Sequence, residues 1–272
     1  MLYEFITDYD WFNREGPFLF NLEHILFIIF YITVGIVLAI WLRKKPKDFT
    51  RKVLIALWNF TVAIEIPKWS ASWYVMIYLG RFPSYDSMFP LYTCSLFMYI
   101  TPIALFAKNE KLQTAAKNFT CTMMLPLGFV SIFVALTMTY KCSIFSFYGF
   151  HTVLYHSLMY IVSLAMLVSG YYKPQKKDIC SSLILFAGIL ALVYVLNCIL
   201  KVDYMYIYDG STFTILSFII NALPHRLVWT LLIMIFYFSV PTLMHFIILK
   251  IQSAYQMKKL KKEEAIAADI NV

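Results

Sequence analysis

The chain reads as long apolar runs separated by short charged ones. Seven apolar segments, at about residues 18–42, 53–79, 88–107, 118–139, 148–171, 179–200 and 226–250, set the pattern. Each holds about 20 residues or more, enough to cross a hydrocarbon core of about 30 Å as a helix. Backbone polar groups find no partners in lipid, so such segments are helices rather than strands of an open sheet. The in–out alternation of a membrane β-barrel is absent. The pattern predicts an all-α, polytopic membrane helical bundle of seven transmembrane helices. One transmembrane domain spans 18–250, with an external segment at 1–17 and a cytoplasmic basic tail at 251–272. Inside the last external loop, 213–223 is apolar but too short to cross, and reads as a re-entrant or interfacial helix. The tail is expected to continue the last helix.

Lysine and arginine set the orientation. Six lie in RKKPKDFTRK after the first segment, and three at Lys108, Lys111 and Lys117. Three more lie in YKPQKKD, and five at Lys250 and in KKLKK. The alternate loops hold only Arg14, Arg81, Lys141 and Lys201. The N-terminus is therefore expected outside and the C-terminus in the cytoplasm.

Composition agrees. The chain is 61% hydrophobic and 14% charged, against about 45–50% and about 25% in soluble domains. With 8 glycines in 272 residues, GxxxG packing is not a theme. A net charge of +8 sits in loop clusters, not in a nucleic-acid-binding motif. No nucleotide-binding loop is present. The five cysteines are odd in number and form no CxxC, so they are not a disulfide framework. No cofactor is indicated, and no HxxxH or CxxC offers metal ligands on a span. The N-terminal stretch is acidic and aromatic, without the basic region of a signal peptide.

Ionisable groups inside spans are costly and point to sites. Placed by helical rise, Cys94 lies about 9 Å and His156 about 12 Å below the outer surface. Lys68 falls about 16 Å and Glu65 about 21 Å down; three apart on one helix face, they can pair. Asn197 falls about 5 Å below the outer end of the sixth span. Glu23 and His24 lie within the first two turns of the first span, and His225 and Arg226 open the seventh. The polar residues thus gather in the outer half, and the inner half reads as almost purely apolar. This predicts an outward-facing polar pocket.

Blander roles compete. Cys121, Cys180 and Cys198 read as packing residues, and His151 and Asn197 as interhelical glue. Glu65 and Lys68 make a structural ion pair as readily as a site. His24 and His225 are near enough to an interface to be solvated. What sets Cys94 and His156 apart is a shared depth. Such a pair suits acyl transfer: a thiolate attacks an ester carbonyl, and the imidazole takes its proton. Lys68 or Arg226 would stabilise an oxyanion or hold a phosphate.

The segments FPLYTCSLFMYI (89–100), FYGFHTVLYHSLMYI (147–161), LNCILKVDYMYIY (196–208) and EIPKW (65–69) resemble, in order and spacing, motifs of the bacterial YwaF-type integral membrane proteins. The resemblance runs from about 18 to 250. It implies a compact multi-pass helical domain in a bacterial plasma membrane. Some members of that family are labelled as transport permeases. The family is also similar to a eukaryotic transmembrane phospholipid acyltransferase and, more distantly, to intramembrane threonine hydrolases of fatty-acid esters. Carried over, the nucleophile and histidine fall on Cys94 and His156, with membrane lipids as substrate. Asn197 and Tyr204 match the motif near the sixth span. Tyr92 stands where the family has His, which weakens any role for a second histidine beside the cysteine. Asp203 stands where it has Asn, adding a carboxylate at the outer mouth.

Three functions follow: a Cys/His lipid acyltransferase or hydrolase, a small-solute transporter, and a non-catalytic scaffold. Transport would need a polar route through the apolar inner half and lacks the repeats of many transporters. Glu65, Lys68, Tyr92, Asn197, Asp203, Tyr204 and Arg226 are the candidate substrate-side residues.

Overall fold

A computed structural model describes residues 20–79, 89–133, 147–208 and 226–270. The 213–223 segment and His225 lie outside the described residues. Those described are helical or in turns, with no strand among them.

Helix α1 (Leu22–Leu42) starts at Asn21, whose side chain accepts from the His24 N–H. Its buried residues, His24, Ile28, Tyr31, Gly35, Ala39 and Leu42, recur every three or four positions. The rest of its surface is also apolar, as expected of a helix facing protein on one side and lipid on the other. Helix α2 (Lys47–Leu79) runs through Pro67. Helix α3 (Leu96–Phe106) contains Pro102. A proline has no N–H to give the carbonyl four residues back, and that carbonyl, on Met98, accepts from Trp58 Nε1 at 3.0 Å instead. The lost helical bond becomes a tie to α2.

Helix α4 (Glu110–Phe119) is capped by Asn109, which accepts from the N–H groups of Lys111 and Leu112. It runs through a π-helical turn, Thr120–Met124, into α5 (Leu125–Phe133). Helices α6 (Phe147–Val168), α7 (Asp178–Leu200) and α8 (Arg226–Ile270) follow. The last continues through the basic tail.

Helix α6 is the axis. Its apolar stretch is 78% buried, against 22–28% in α1, α7 and α8, and it packs on α1, α2, α5 and the π turn. Gly128 on α5 permits the approach. A Cβ there would lie 2.7 Å from the Tyr160 N and 2.9 Å from the His156 O. Scarce glycine thus still sets one close helix contact.

Among the described residues, four helices, α1, α6, α7 and α8, are long and apolar enough to cross a membrane. The third apolar segment is not one helix over 88–107: among its described residues only Leu96–Phe106 is helical, and at 11 residues it is shorter than a span. Cys94 precedes it in a turn, so a depth counted by helical rise does not apply. The apolar run misled because Phe89 to Ser95 are as lipid-compatible as a helix but are bent by local turns.

Two further corrections concern polar groups. His24 is 1% exposed, not solvated. Its Nδ1 accepts from the Phe20 N–H at 3.1 Å, and its Nε2 donates to the Ile132 carbonyl at 2.9 Å. Nor is the half of the bundle away from Cys94 almost purely apolar. Fully buried Asn118 accepts from His245 Nδ1 at 2.9 Å. The Tyr172 hydroxyl donates to Asp178 Oδ2 at 2.8 Å and lies 3.2 Å from Asn118 Oδ1. Each of these residues sits near an apparent span end, where sequence suggests solvent, but the neighbouring helices cover it.

Candidate functional site

The turn before α3 carries Tyr92, Thr93 and Cys94. The Cys94 carbonyl accepts from the Phe97 N–H at 3.1 Å and from the Tyr155 hydroxyl at 3.2 Å. Tyr155 lies on α6 beside His156, so one bond joins the cysteine turn to the histidine helix. Cys94 is in no disulfide and is half-buried. His156 Nδ1 donates to the Thr152 carbonyl one turn back at 2.8 Å, since a carbonyl can only accept. Its other nitrogen, Nε2, is then the lone-pair acceptor of the neutral ring. No hydrogen bond joins Cys94 to His156 among the described residues.

Glu65 is buried on α2. Its Oε2 lies 3.5 Å from Lys68 Nζ and its Oε1 3.1 Å from His151 Nε2. The His151 contact is one of proximity: Nε2 has no aligned acceptor, so it counts as a charge contact rather than a well-formed hydrogen bond. Glu65 and Lys68 are near enough for their charges to act on both Cys94 and His156. The His151 ring stacks on Tyr155 at 6.0 Å and 23°, and Tyr155 meets Phe97 edge-on at 6.3 Å. Glu65, Lys68, His151, Tyr155, Cys94 and His156 thus form one neighbourhood drawn from α2, the turn and α6.

A second group borders it. After α7 the chain turns at Lys201 (φ 53°) and again at Met205 (φ 58°) and Tyr206 (φ 57°). Left-handed backbone at non-glycine residues costs energy and persists only where surroundings over-determine it. Here the Asn197 amide grips the Tyr204 backbone, donating to its O and accepting from its N, both at 2.9 Å. Asp203 Oδ1 accepts from the Tyr208 N–H at 2.8 Å. Trp229 Nε1 donates to the Tyr206 carbonyl at 2.7 Å, Thr230 Oγ1 to the Ile207 carbonyl at 3.1 Å, and Tyr237 OH to the Met205 carbonyl at 2.8 Å. Tyr204, Met205 and Ile207 are fully buried. The segment is a plug inside the bundle, since non-helical backbone survives at membrane depth only when its polar groups are met by protein. Thr93 Oγ1 donates to the Tyr237 hydroxyl at 2.8 Å, and the Tyr92 ring lies 5.7 Å from Tyr204 and 5.5 Å from Tyr206. The plug therefore abuts the cysteine turn.

Of the residues expected at the site, Glu65 and Lys68 pair, and their charges reach both Cys94 and His156; Asn197, Asp203 and Tyr204 form the adjoining plug, against which Tyr92 packs from the cysteine turn. Arg226 is described only as the first residue of α8. Sequence reasoning did not assign Tyr155, Thr93 or Tyr237 to the site and read His151 as glue; the YTC and FHTVLYH stretches contain three of them, but nothing local marks their partners. No three His, Cys, Asp or Glu side chains converge as metal ligands among the described residues.

Helices of membrane-spanning length, lipid-facing apolar surfaces and buried polar clusters define a multi-pass helical membrane protein. The model of the TMEM164 family, a transmembrane family, matches residues 19–250. The chain belongs to that family. No curated protein and no solved structure matches it. A bacterial origin and the YwaF-type likeness rest on the short motifs alone.

Proposed function

We propose that this protein transfers or hydrolyses a fatty-acyl ester of a membrane lipid, with Cys94 as nucleophile and His156 as its base. The observation that carries the reading is the Tyr155 hydroxyl on the Cys94 carbonyl, which ties the cysteine turn to α6 one residue before His156. The Thr152 bond supports it, because it leaves Nε2 of His156 as the basic nitrogen. The thiol proton passes to Nε2, and the sulfur attacks the ester carbonyl. The ester C–O bond breaks, the leaving alkoxide takes the proton, and a thioester remains. An acceptor hydroxyl or water, deprotonated by the same nitrogen, then attacks the thioester and restores the thiol. Lys68 stabilises the developing oxyanion or holds a headgroup phosphate. Glu65 and Tyr92 face the substrate side, and Asn197, Asp203 and Tyr204 build the plug that borders it.

In this reading the chain crosses a cell membrane seven times, by α1, α2, the Cys94 turn with α3, the π turn with α5, α6, α7 and α8. The Lys and Arg distribution supports an external N-terminus, with Cys94 toward the outer leaflet. A bacterial plasma membrane follows only from the YwaF-type resemblance. The test is labelling by an alkyl-chain chloroacetamide, read site by site, with exposed Cys180 and Cys198 as internal controls. Cys94 should label faster than both and slow selectively in His156→Ala. Labelling of Cys94 no faster than the controls would remove the reading.

One observation favours small-solute transport as a second reading: the Asn118–His245 cluster puts polar groups in the half of the bundle opposite Cys94. Uptake of solute by proteoliposomes, lost in His245→Ala, would support it; its absence leaves the lipid reading.

A further inference from the structure

We propose that Lys47, Arg51, Lys117 and Tyr171 form a phosphate-binding site at the end of the bundle opposite Cys94. This inference stands independently of the acyl-transfer reading.

The site draws on three elements. Lys47 opens α2 and Arg51 lies one turn later; Lys117 lies on α4; Tyr171 follows α6. Arg51 is anchored by Nε and Nη2 on the Leu105 carbonyl, at 3.1 and 3.0 Å, and its guanidinium lies 5.3 Å from the Phe106 ring. Its charge is near enough to act on Tyr171. Lys117 Nζ bonds Gln113 Oε1 at 2.7 Å and lies 5.0 Å over the Tyr171 ring. Two half-buried cations from different helices thus flank one tyrosine, Lys117 over its ring and Arg51 within charge range, and exposed Lys47 is within charge range of Lys117.

Loop lysines of a membrane protein are ordinarily solvated, and Lys44 and Lys45 fit that description. Arg51 and Lys117 do not. Burial, and next the charges of Lys47 and Arg51, hold the Lys117 amine below the usual lysine value. Asp48 is the carboxylate in this vicinity, near enough to act on Tyr171. Yet none of the three cations forms an ion pair among the described residues. Converging, partly desolvated like charges are unfavourable until an anion joins them. A planar guanidinium beside an ammonium suits a phosphate, whose oxygens accept from both. Lys47 adds the N-terminal end of α2, where free N–H groups and the helix dipole also favour an anion. The site lies where α1 ends, α2 begins and α3 ends, at the ends of apolar segments. Both a lipid headgroup and a soluble phosphate carry the required chemistry.

The experiment uses the full chain in maltoside micelles, which contain no phosphate. Acetylation of Lys117 by an N-hydroxysuccinimide ester is followed by mass spectrometry, with exposed Lys176 and Lys258 as controls. The probes are short-chain phosphatidic acid, the matching diacylglycerol, and inorganic phosphate. At a phosphatidic acid concentration about four times its dissociation constant, Lys117 labelling should slow about fivefold with the controls unchanged. Protection by phosphatidic acid alone assigns a lipid headgroup, and protection by inorganic phosphate as well assigns a site open to soluble phosphate. Lys47→Ala, at an exposed position, should weaken the protection, and Arg51→Gln should abolish it. No protection by either phosphate-bearing probe, equal protection by diacylglycerol, or full protection in both variants would overturn the proposal.

Discussion

Around Cys94 and around Asn118 the bundle buries polar groups in two different ways. Near Cys94, Glu65 keeps Lys68 and His151 within charge range, Cys94 is a half-buried residue, and one imidazole nitrogen remains as a base. Near Asn118, most groups bond one another and the chain, although His245 Nε2 and Asn118 Nδ2 are left without a partner among the described residues. His245 donates to Asn118, Tyr172 to Asp178, and Asp178 also accepts from the Gln175 N–H at 2.9 Å. The second arrangement joins α4, α7 and α8 and sets no half-buried cysteine beside its histidine among the described residues. The first leaves a nucleophile and a base beside an ion pair. Buried polarity alone therefore does not mark a reaction site; an unspent nucleophile next to an unspent base does.

The comparison can be broken by substitution. The largest effect is expected at His156. His156→Ala should slow acylation of Cys94 by an ester probe by about 10²–10⁴-fold, the usual contribution of a general base. Asn118→Ala should leave that rate unchanged, and a similar fall in both variants would erase the distinction.

Glu65→Leu comes next. It strands His151 and Lys68, and breaking a buried charge pair costs about 3–5 kcal/mol. The Lys68 side chain is 30% exposed, which moves the expectation to the lower end. Thermal unfolding in detergent reads the loss. Adding His151→Phe should recover part of it, and strict additivity of the two changes would show that the pair does not act together.

Gly128→Ala probes how α6 is held. The new Cβ meets backbone on both sides, at Tyr160 and His156, so the helices must separate. Overpacking of this kind costs about 1–3 kcal/mol. Cys94 labelling should fall along with stability, because the histidine helix moves. Retained labelling at reduced stability would place α6 beyond the influence of that contact.

Asn118→Leu should cost about 1–3 kcal/mol, the range for leaving buried partners unmet. Because the cluster is structural, Cys94 labelling at a temperature well below unfolding should not change. A change there would mean that the two ends of the bundle communicate.

Much of this architecture is legible along the chain. Helices α1, α6, α7 and α8 follow from apolar length, and Glu65 with Lys68 from a three-residue spacing on one helix. Cys94 and His156 stand out as a thiol and an imidazole in apolar surroundings. Other features are not legible. Nothing local says that Tyr155 reaches the Cys94 carbonyl, 61 positions away, or that Asn197 closes on Tyr204 to fold residues 202–208 inward. His151 looks like any membrane histidine until Glu65 is seen beside it.

The sequence by itself determined class and composition: helices that need lipid, charged loops between them, and a short inventory of reactive side chains. Apolar content is additive along the chain, so it survives without knowledge of the fold. The tertiary structure alone decided which end of each helix is covered, that the third apolar segment is half turn and half helix, and which polar groups share a space. Those outcomes depend on close approach at single residues such as Gly128 and on bonds between distant positions. A one-dimensional pattern does not contain them.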